Sequence, residues 1–160
     1  MDRIDKILNH DLFLHHLKEN EKAEIDREFC CHDMVHFLDV ARIGEIINLE
    51  EGLGINREWI YAAALLHDCG KHVQYENGMP HELASAQIAP KILESCGFDD
   101  DETGVIVGAI QSHRDASVAG EPTLRGVLYR ADNASRACFA CKSVGSCNWK
   151  DDKKNLCIKY

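Results

Sequence analysis

The segment from Trp59 to Leu66 is the most apolar stretch of the chain, and a histidine and an aspartate, His67 and Asp68, follow it directly. A helix that is apolar nearly all round must be buried on every side, so the rest of the fold has to be built around it. Asn56 is a suitable N-cap before it and Gly70 a suitable stop after it, which reads as a helix rather than a strand. The same segment carries an imidazole and a carboxylate to the edge of the interior. Burial of both is costly unless something compensates. A divalent cation does so, because imidazole nitrogen and carboxylate oxygen are good ligands for Fe, Mn, Co, Ni and Zn.

Elsewhere apolar residues recur at helical spacing, and no segment reads as a strand. Helices are predicted over about 3–17, 33–50, 80–95, 101–112 and 124–139, besides the central one from about 56. The first has an incomplete stripe of Ile4, Ile7, Leu8 and Phe13, whereas Val35, Leu38, Ile43, Ile46, Ile47 and Leu49 mark the second. Gly52 and Gly54 end the second, Pro90 is a place where the fourth could kink, and the acidic run DDDE suits the start of the fifth. The stretch VQYENGMP, with its Asn-Gly and Pro, is predicted to be a loop. The expected fold is therefore all-α: a compact bundle of about six helices over residues 1–137, with a Cys-rich tail, 138–160, packed on or extending from it.

A chain of 160 residues suits one buried core. Its net charge of −9 makes it a poor candidate for gripping a nucleic-acid duplex, since phosphate contacts need surplus Lys and Arg. A small anionic substrate held through metal cations is compatible with that charge. No apolar run is long enough to cross a bilayer, and the first residues lack the pattern of a signal peptide, so a cytoplasmic protein without a membrane partner is expected. A second copy of the chain is left open as a partner.

One His-Asp pair cannot complete a coordination sphere. His36 lies on the core side of the second predicted helix, and Asp132 follows the apolar run Val127, Leu128, Tyr129 on the sixth. His81 and His113 stand at the start of the fourth helix and the end of the fifth, facing loops. Three or more helices could thus bring ligands to one point.

Taken in order, HFLDVA, LLHDCGK and LYRADNASR resemble the HD-domain superfamily of metal-dependent phosphohydrolases across roughly residues 32–136. The resemblance implies metal ligands at His36, His67, Asp68 and Asp132. His81 in HELASAQIA and His113 in AIQSHR fit the positions where two-metal branches add ligands. These branches include the symmetrical dinucleoside tetraphosphate hydrolases and the cyclic-di-nucleotide phosphodiesterases; the latter's Gly-Tyr-Pro extension is missing here. The expected cofactor is one or two divalent ions (Fe, Mn, Co, Ni or Mg), with Asp68 as the bridging ligand. Asp68 and Lys71 are the expected catalytic residues. Lys71, Arg114 and Arg136 are expected to hold substrate phosphate, with Arg130 a weaker candidate.

His32 and Asp33 form another doublet, read as a helix start or as support for a ligand. His10, His15, His16 and His72 are expected to be solvated, and Cys30, Cys31, Cys69 and Cys96 to be packing residues. Cys138, Cys141, Cys147 and Cys157 could hold Zn or an iron–sulfur cluster, although only the first pair has good ligand spacing, and ordinary reduced cysteines are the simpler expectation. The resulting expectation is hydrolysis of a phosphoester or phosphoanhydride of a small phosphorylated substrate, foremost a nucleotide or dinucleotide polyphosphate. The competing expectations are a di-iron oxygenase on the same scaffold and a non-catalytic metal- or ligand-sensing module.

Overall fold

A computed structural model describes residues 1–160. The apolar segment forms α4 (Arg57–Leu66), in which Ile60 and every residue from Ala62 to Leu66 are buried. The Asn56 side chain caps it by accepting the Glu58 N–H at 2.9 Å. Seven further helices enclose it: α1 (Asp2–Leu8), α2 (Asp11–Ala23), α3 (Met34–Glu50), α5 (Lys71–Asn77), α6 (His81–Cys96), α7 (Asp100–Ser112) and α8 (Leu124–Ser135). The remaining regular structure is short 3-10 helix, and there is no strand. On one side of α4, α3 and α8 pack against it and against each other; on the other, α7 bridges to α6. One core of 28 buried residues runs through all of these contacts. No helix is long and apolar enough to cross a membrane.

The number of helices differs from the expected six for two physical reasons. First, the segment 3–17 is two helices. His10 is extended (φ −78°, ψ 124°) and its ring accepts the Leu12 N–H, so it ends one helix and caps the next. The apolar stripe is incomplete because α1 packs on α4 and α6, whereas α2 packs on α5. Second, most of the predicted loop VQYENGMP is helical, as part of α5. Tertiary bonds hold this short helix: Asn20 accepts the His72 N–H at 2.8 Å, and the Tyr75 hydroxyl donates to Glu24 at 2.7 Å. The Asn-Gly pair ends α5 instead of making the connection a loop, with Gly78 in the left-handed region at φ 81°.

Gly70 lets α5 meet the start of α6. A Cβ there would lie 2.6 Å from the Ser85 backbone nitrogen and 2.8 Å from the Ala84 Cβ. The Gly70 N–H instead donates to the Ser85 hydroxyl at 2.9 Å. Farther on, α6 runs through Pro90 without a break. Helix α7 starts on a reciprocal capping box between Asp99 and Glu102, as its acidic start suggests. Helix α8 stops at Ser135 rather than near 139, and residues 138–140 make a single 3-10 turn. The tail then returns to that end. The Asn155 amide donates to the carbonyls of Asn133, Ala134 and Arg136 at 2.7, 3.3 and 3.0 Å, satisfying groups that a helix leaves open.

Candidate metal centre

The ends of the helices, rather than their middles, deliver most of the ionisable side chains. His67 and Asp68 occupy the turn after α4, His81 is the first residue of α6, and His113 follows α7. His36 lies in the first turn of α3, whose N-cap Asp33 accepts the His36 N–H at 3.0 Å, and Asp132 lies in the last turn of α8. All six residues expected as ligands come together, in two triads.

The first triad is His36, His67 and Asp132; the second is Asp68, His81 and His113. In the first, the His36 and His67 Nε2 atoms are 3.3 Å apart, and Asp132 Oδ1 lies 3.5 and 3.9 Å from them. In the second, Asp68 Oδ1 is 3.1 Å from His81 Nε2 and 3.5 Å from His113 Nε2, which are 3.2 Å from each other. Two ligand atoms each about 2.1 Å from one ion stand about 3.0 Å apart at a right angle and about 3.4 Å apart at the tetrahedral angle. The triads have that spacing. Asp68 also joins them, because its other oxygen, Oδ2, is 3.2 Å from His67 Nε2 and 3.6 Å from His36 Nε2.

The hydrogen bonds on the far side of each ring decide which nitrogen faces the centre. His67 Nδ1 is 2.7 Å from the Ala64 carbonyl and His113 Nδ1 is 2.6 Å from the Ile110 carbonyl. A carbonyl only accepts, so both Nδ1 atoms carry the proton and, in a neutral ring, Nε2 offers a lone pair. His81 Nδ1 faces the Gln74 amide oxygen at 2.5 Å. His36 Nδ1 faces the Ser135 hydroxyl at 3.3 Å, whose own hydrogen goes to the Asp132 carbonyl. Four imidazole lone pairs thus converge on carboxylate oxygens. Without a cation the arrangement is mutually repulsive, and Asp68 Oδ1 is buried with no hydrogen-bond partner. This donor set fits one or two divalent ions, with outer partners that orient the rings as metal sites require.

Electrostatics describe the same concentration of charge. Burial opposes a charge on the His67 ring, yet Asp68 beside it raises its pKa to about 9. Burial likewise works to raise the Asp68 carboxyl, but His67, His32, His113 and His36 hold it well below the usual carboxylate range. Burial pushes the His81 ring below its ordinary value, against the pull of Asp68. Lys71 is lowered by burial too; Asp68 opposes that shift, and Arg114 and Arg27 add to it.

A cavity of about 360 Å³ opens over the centre. Lys71, Arg114 and Arg136 all line it, joined by Arg27 and Lys153, which the sequence did not single out. Lys71 Nζ sits 3.2 Å from His81 Nδ1. Arg136 is held by Asn133 Oδ1 at 2.8 Å and lies 4.4 Å from the centre of the Trp149 ring, which also lines the cavity with Tyr129. Arg130 points away and pairs with Glu51.

His32 was expected to cap a helix or support a ligand. The cap is Asp33, and His32 faces the centre directly, with Nε2 3.7 Å from Asp68 Oδ2 and Nδ1 2.6 Å from Glu24 Oε1. It lies before the N-cap of α3, outside the helical repeat, so no spacing in the sequence marks it. His72 is buried rather than solvated, with its Nε2 2.8 Å from His16 Nδ1. Of the remaining cysteines, Cys69 and Cys96 are buried, whereas Cys30 and Cys31 are largely exposed and not packing residues. Cys138, Cys141 and Cys147 gather at a cavity that Cys157, exposed, does not line.

Comparison with known proteins follows the same residues. The chain is 49 % identical over its whole length to an uncharacterized protein of Clostridium beijerinckii, which it also covers completely. It is 28 % identical to ribonuclease Y of Mesoplasma florum over 82 % of this chain but only 24 % of that protein. Against ribonuclease Y of Mycoplasma mycoides subsp. mycoides it is 29 % identical, over 64 % of this chain and 18 % of the other. The chain thus spans a quarter or less of the length of these ribonucleases. No solved structure matches it. The HD domain model matches residues 34–137, which hold all six triad residues, and the chain belongs to the HD-domain family, whose members bind divalent metal.

Proposed function

We propose that this protein is a two-metal phosphohydrolase acting on a nucleotide or dinucleotide polyphosphate. The observation that carries this reading is the shared Asp68 carboxylate, whose two oxygens each face a different histidine pair. Bound divalent ions would acidify water near phosphorus and neutralise charge on the phosphoryl oxygens. His36, His67 and Asp132 would hold one ion, His81 and His113 the other, and Asp68 both.

The chain's own groups supply the rest. Arg27, Arg114, Arg136 and Lys153 ring the cavity and would bind a chain of phosphates, so a net charge of −9 does not prevent anion binding there. Lys71, whose Nζ lies 3.2 Å from His81 Nδ1, would orient the phosphate nearest the reacting bond. His32 can accept a proton at Nε2 while Glu24 holds its other nitrogen. Trp149 and Tyr129 offer apolar faces for a base. Five cations around one cavity favour a phosphorylated substrate, and turnover without oxygen separates a hydrolase from an oxygenase. Because relatives of this chain are named ribonuclease Y, short RNA, whose backbone is a phosphodiester, is added to the screen.

The experiment is purification with Mn or Co, followed by an anaerobic hydrolysis screen in which the nucleotide products are separated by chromatography and free phosphate is assayed alongside. Substrates are nucleoside di- and triphosphates, dinucleoside polyphosphates, cyclic dinucleotides and short RNA. His67→Ala and Asp68→Ala should lose bound metal and turnover together. Full turnover in either variant, or none in wild type with both ions bound, would refute the proposal.

A further inference from the structure

Besides the metal centre, the chain builds one other concentration of ligating atoms. Five cysteines, Cys30, Cys31, Cys138, Cys141 and Cys147, line one cavity of about 370 Å³. They come from two stretches far apart in sequence, the segment before α3 and the tail after α8. Chance scatter of eight cysteines over a helical domain does not readily put five at one place.

The tail around them lacks the usual reasons to be folded. Between Arg136 and Lys154 no residue is buried. Its regular structure is two single 3-10 turns, at Cys138–Ala140 and Asp151–Lys153. A segment that buries no apolar core cannot offset its own ordering entropy, and small loop-rich units of this kind are commonly closed by a metal. Besides the Asn155 amide and the Trp149 ring against Arg136, side-chain ties to the body are few: Ser146 reaches Glu28 at 3.2 Å, and Arg136 donates to the Lys153 carbonyl at 3.3 Å.

We propose that Cys30, Cys138, Cys141 and Cys147 form a tetrathiolate site for a structural zinc ion that fastens the tail to the segment before α3. Cys138 and Cys141 have the two-residue spacing by which one turn presents two thiolates to one ion. Cys30, rather than its neighbour Cys31, is the fourth ligand because the Cys31 thiol is turned back on the backbone, where it donates to the Phe29 carbonyl at 3.6 Å. Burial raises both thiols; at Cys30 the nearby Cys138 and Cys141 add to that and Arg136 opposes it, so a cation has to hold the thiolates together. Four thiolates around Zn²⁺ leave a net charge of about −2; Arg136, Lys153 and Lys154 stand on the same cavity wall, together with Glu28, Asp33 and Asp39. No three of these sulfurs stand within 4.8 Å of one another. Sulfurs bound about 2.3 Å from a tetrahedral ion are about 3.8 Å apart, so metal capture draws the tail inward.

The site would serve the neighbouring centre without touching its ions. His36, Arg136, Trp149 and Lys153 belong to both cavity walls. A clamped tail would therefore hold an aromatic ring and a lysine over the phosphate-binding cavity.

The test needs no substrate, so its outcome is independent of the hydrolase reading. Full-length protein is reconstituted with Co²⁺ and examined for the sulfur-to-cobalt charge-transfer band, which a His/Asp site cannot give. Wild type and Cys157→Ser should show the band at equal intensity, as should Cys31→Ser. Cys30→Ser, Cys138→Ser and Cys147→Ser should each lose most of it. In zinc-loaded wild type, a mercurial should release one zinc per chain to a chromogenic chelator, a reading that stands even if a tail variant fails to fold. Absence of the band in wild type would overturn the site. Its survival in Cys138→Ser would do the same, and its loss in Cys31→Ser but not Cys30→Ser would overturn the ligand assignment. Visible absorption of an iron–sulfur cluster in freshly purified protein would overturn the assignment of zinc.

Discussion

Asn20 gives the clearest quantitative handle on how the scaffold holds Asp68. It is fully buried on α2, a helix that supplies no ligand. Its amide nitrogen donates to the Asp68 carbonyl at 2.9 Å, and its amide oxygen accepts the His72 N–H at 2.8 Å. Asn20→Ala would strand the His72 N–H, at about 1–3 kcal/mol, and remove one of two bonds to the Asp68 carbonyl, which keeps the Lys71 N–H at 3.0 Å and so loses only about 0.5–1.5 kcal/mol, for a total of roughly 1.5–4.5 kcal/mol. With an m-value of about 2 kcal/mol/M in urea, the unfolding midpoint should fall by about 0.8–2.2 M. Asn20→Asp separates the two bonds, because the carboxylate still accepts from His72 but cannot donate to Asp68. It should cost at least as much as alanine at neutral pH, since a buried carboxylate would then face a carbonyl oxygen. Its deficit should shrink as pH falls, because a protonated carboxyl donates where the amide did. Both variants should also bind metal more weakly. An Asn20→Asp protein within about 0.5 kcal/mol of wild type at pH 7 would refute the reasoning, that figure being the ordinary scatter of surface changes.

Three further outcomes are expected. His113→Ala should keep the ion held by His36, His67 and Asp132 and lose the other, so metal analysis should fall from two ions per chain to one; loss of both together would contradict separate triads. Glu24 has its carboxyl lowered to about 2 because, although burial opposes the charge, the hydrogen bond from His32 and its neighbours favour it. Relative to an unfolded value of 4.5, that stabilises the fold by roughly 3 kcal/mol above pH 4.5 and is lost as pH falls through about 2. Glu24→Gln should therefore be less stable than wild type near neutrality and converge with it in acid; parallel denaturation curves from pH 7 to 2 would contradict this. Gly70→Ala should destabilise by about 1–3 kcal/mol through overpacking against Ser85 and Ala84, read as a lower melting temperature. An unchanged melting temperature would mean that the contact of α5 with α6 is looser than the structure shows.

Much of the centre was legible because ligands in a helical protein leave periodic traces. His67 and Asp68 stood out as charge at the end of an apolar helix, and His36 and Asp132 as polar residues among core positions. His32 was harder to place. It precedes α3, and a doublet at a helix start reads as a cap; only the three-dimensional path of residues 28–33 aims its ring at Asp68. Helix α5 was hidden for a different reason. Lys71 to Asn77 has neither a clear apolar stripe nor a capping side chain, and its hydrogen bonds to α2 come from residues some fifty positions away. The cysteine cavity was half visible: Cys138 and Cys141 stand at a ligand-like spacing in a tail that reads most simply as ordinary reduced cysteines, but the approach of Cys30 depends on where the tail returns.

The division of the donors between two groups of helices has a consequence for how such a centre can change. One half rests on α3 and α8, the other on α6 and α7, and the donors of both are joined at the turn after α4, although α7 and α8 also pack on each other. If the centre holds two ions as proposed, a substitution on one flank should retune or delete a single ion while the donors of its neighbour stay in place. A lineage could drift between mononuclear and dinuclear chemistry through viable intermediates, provided that the aspartate at the hinge stays fixed.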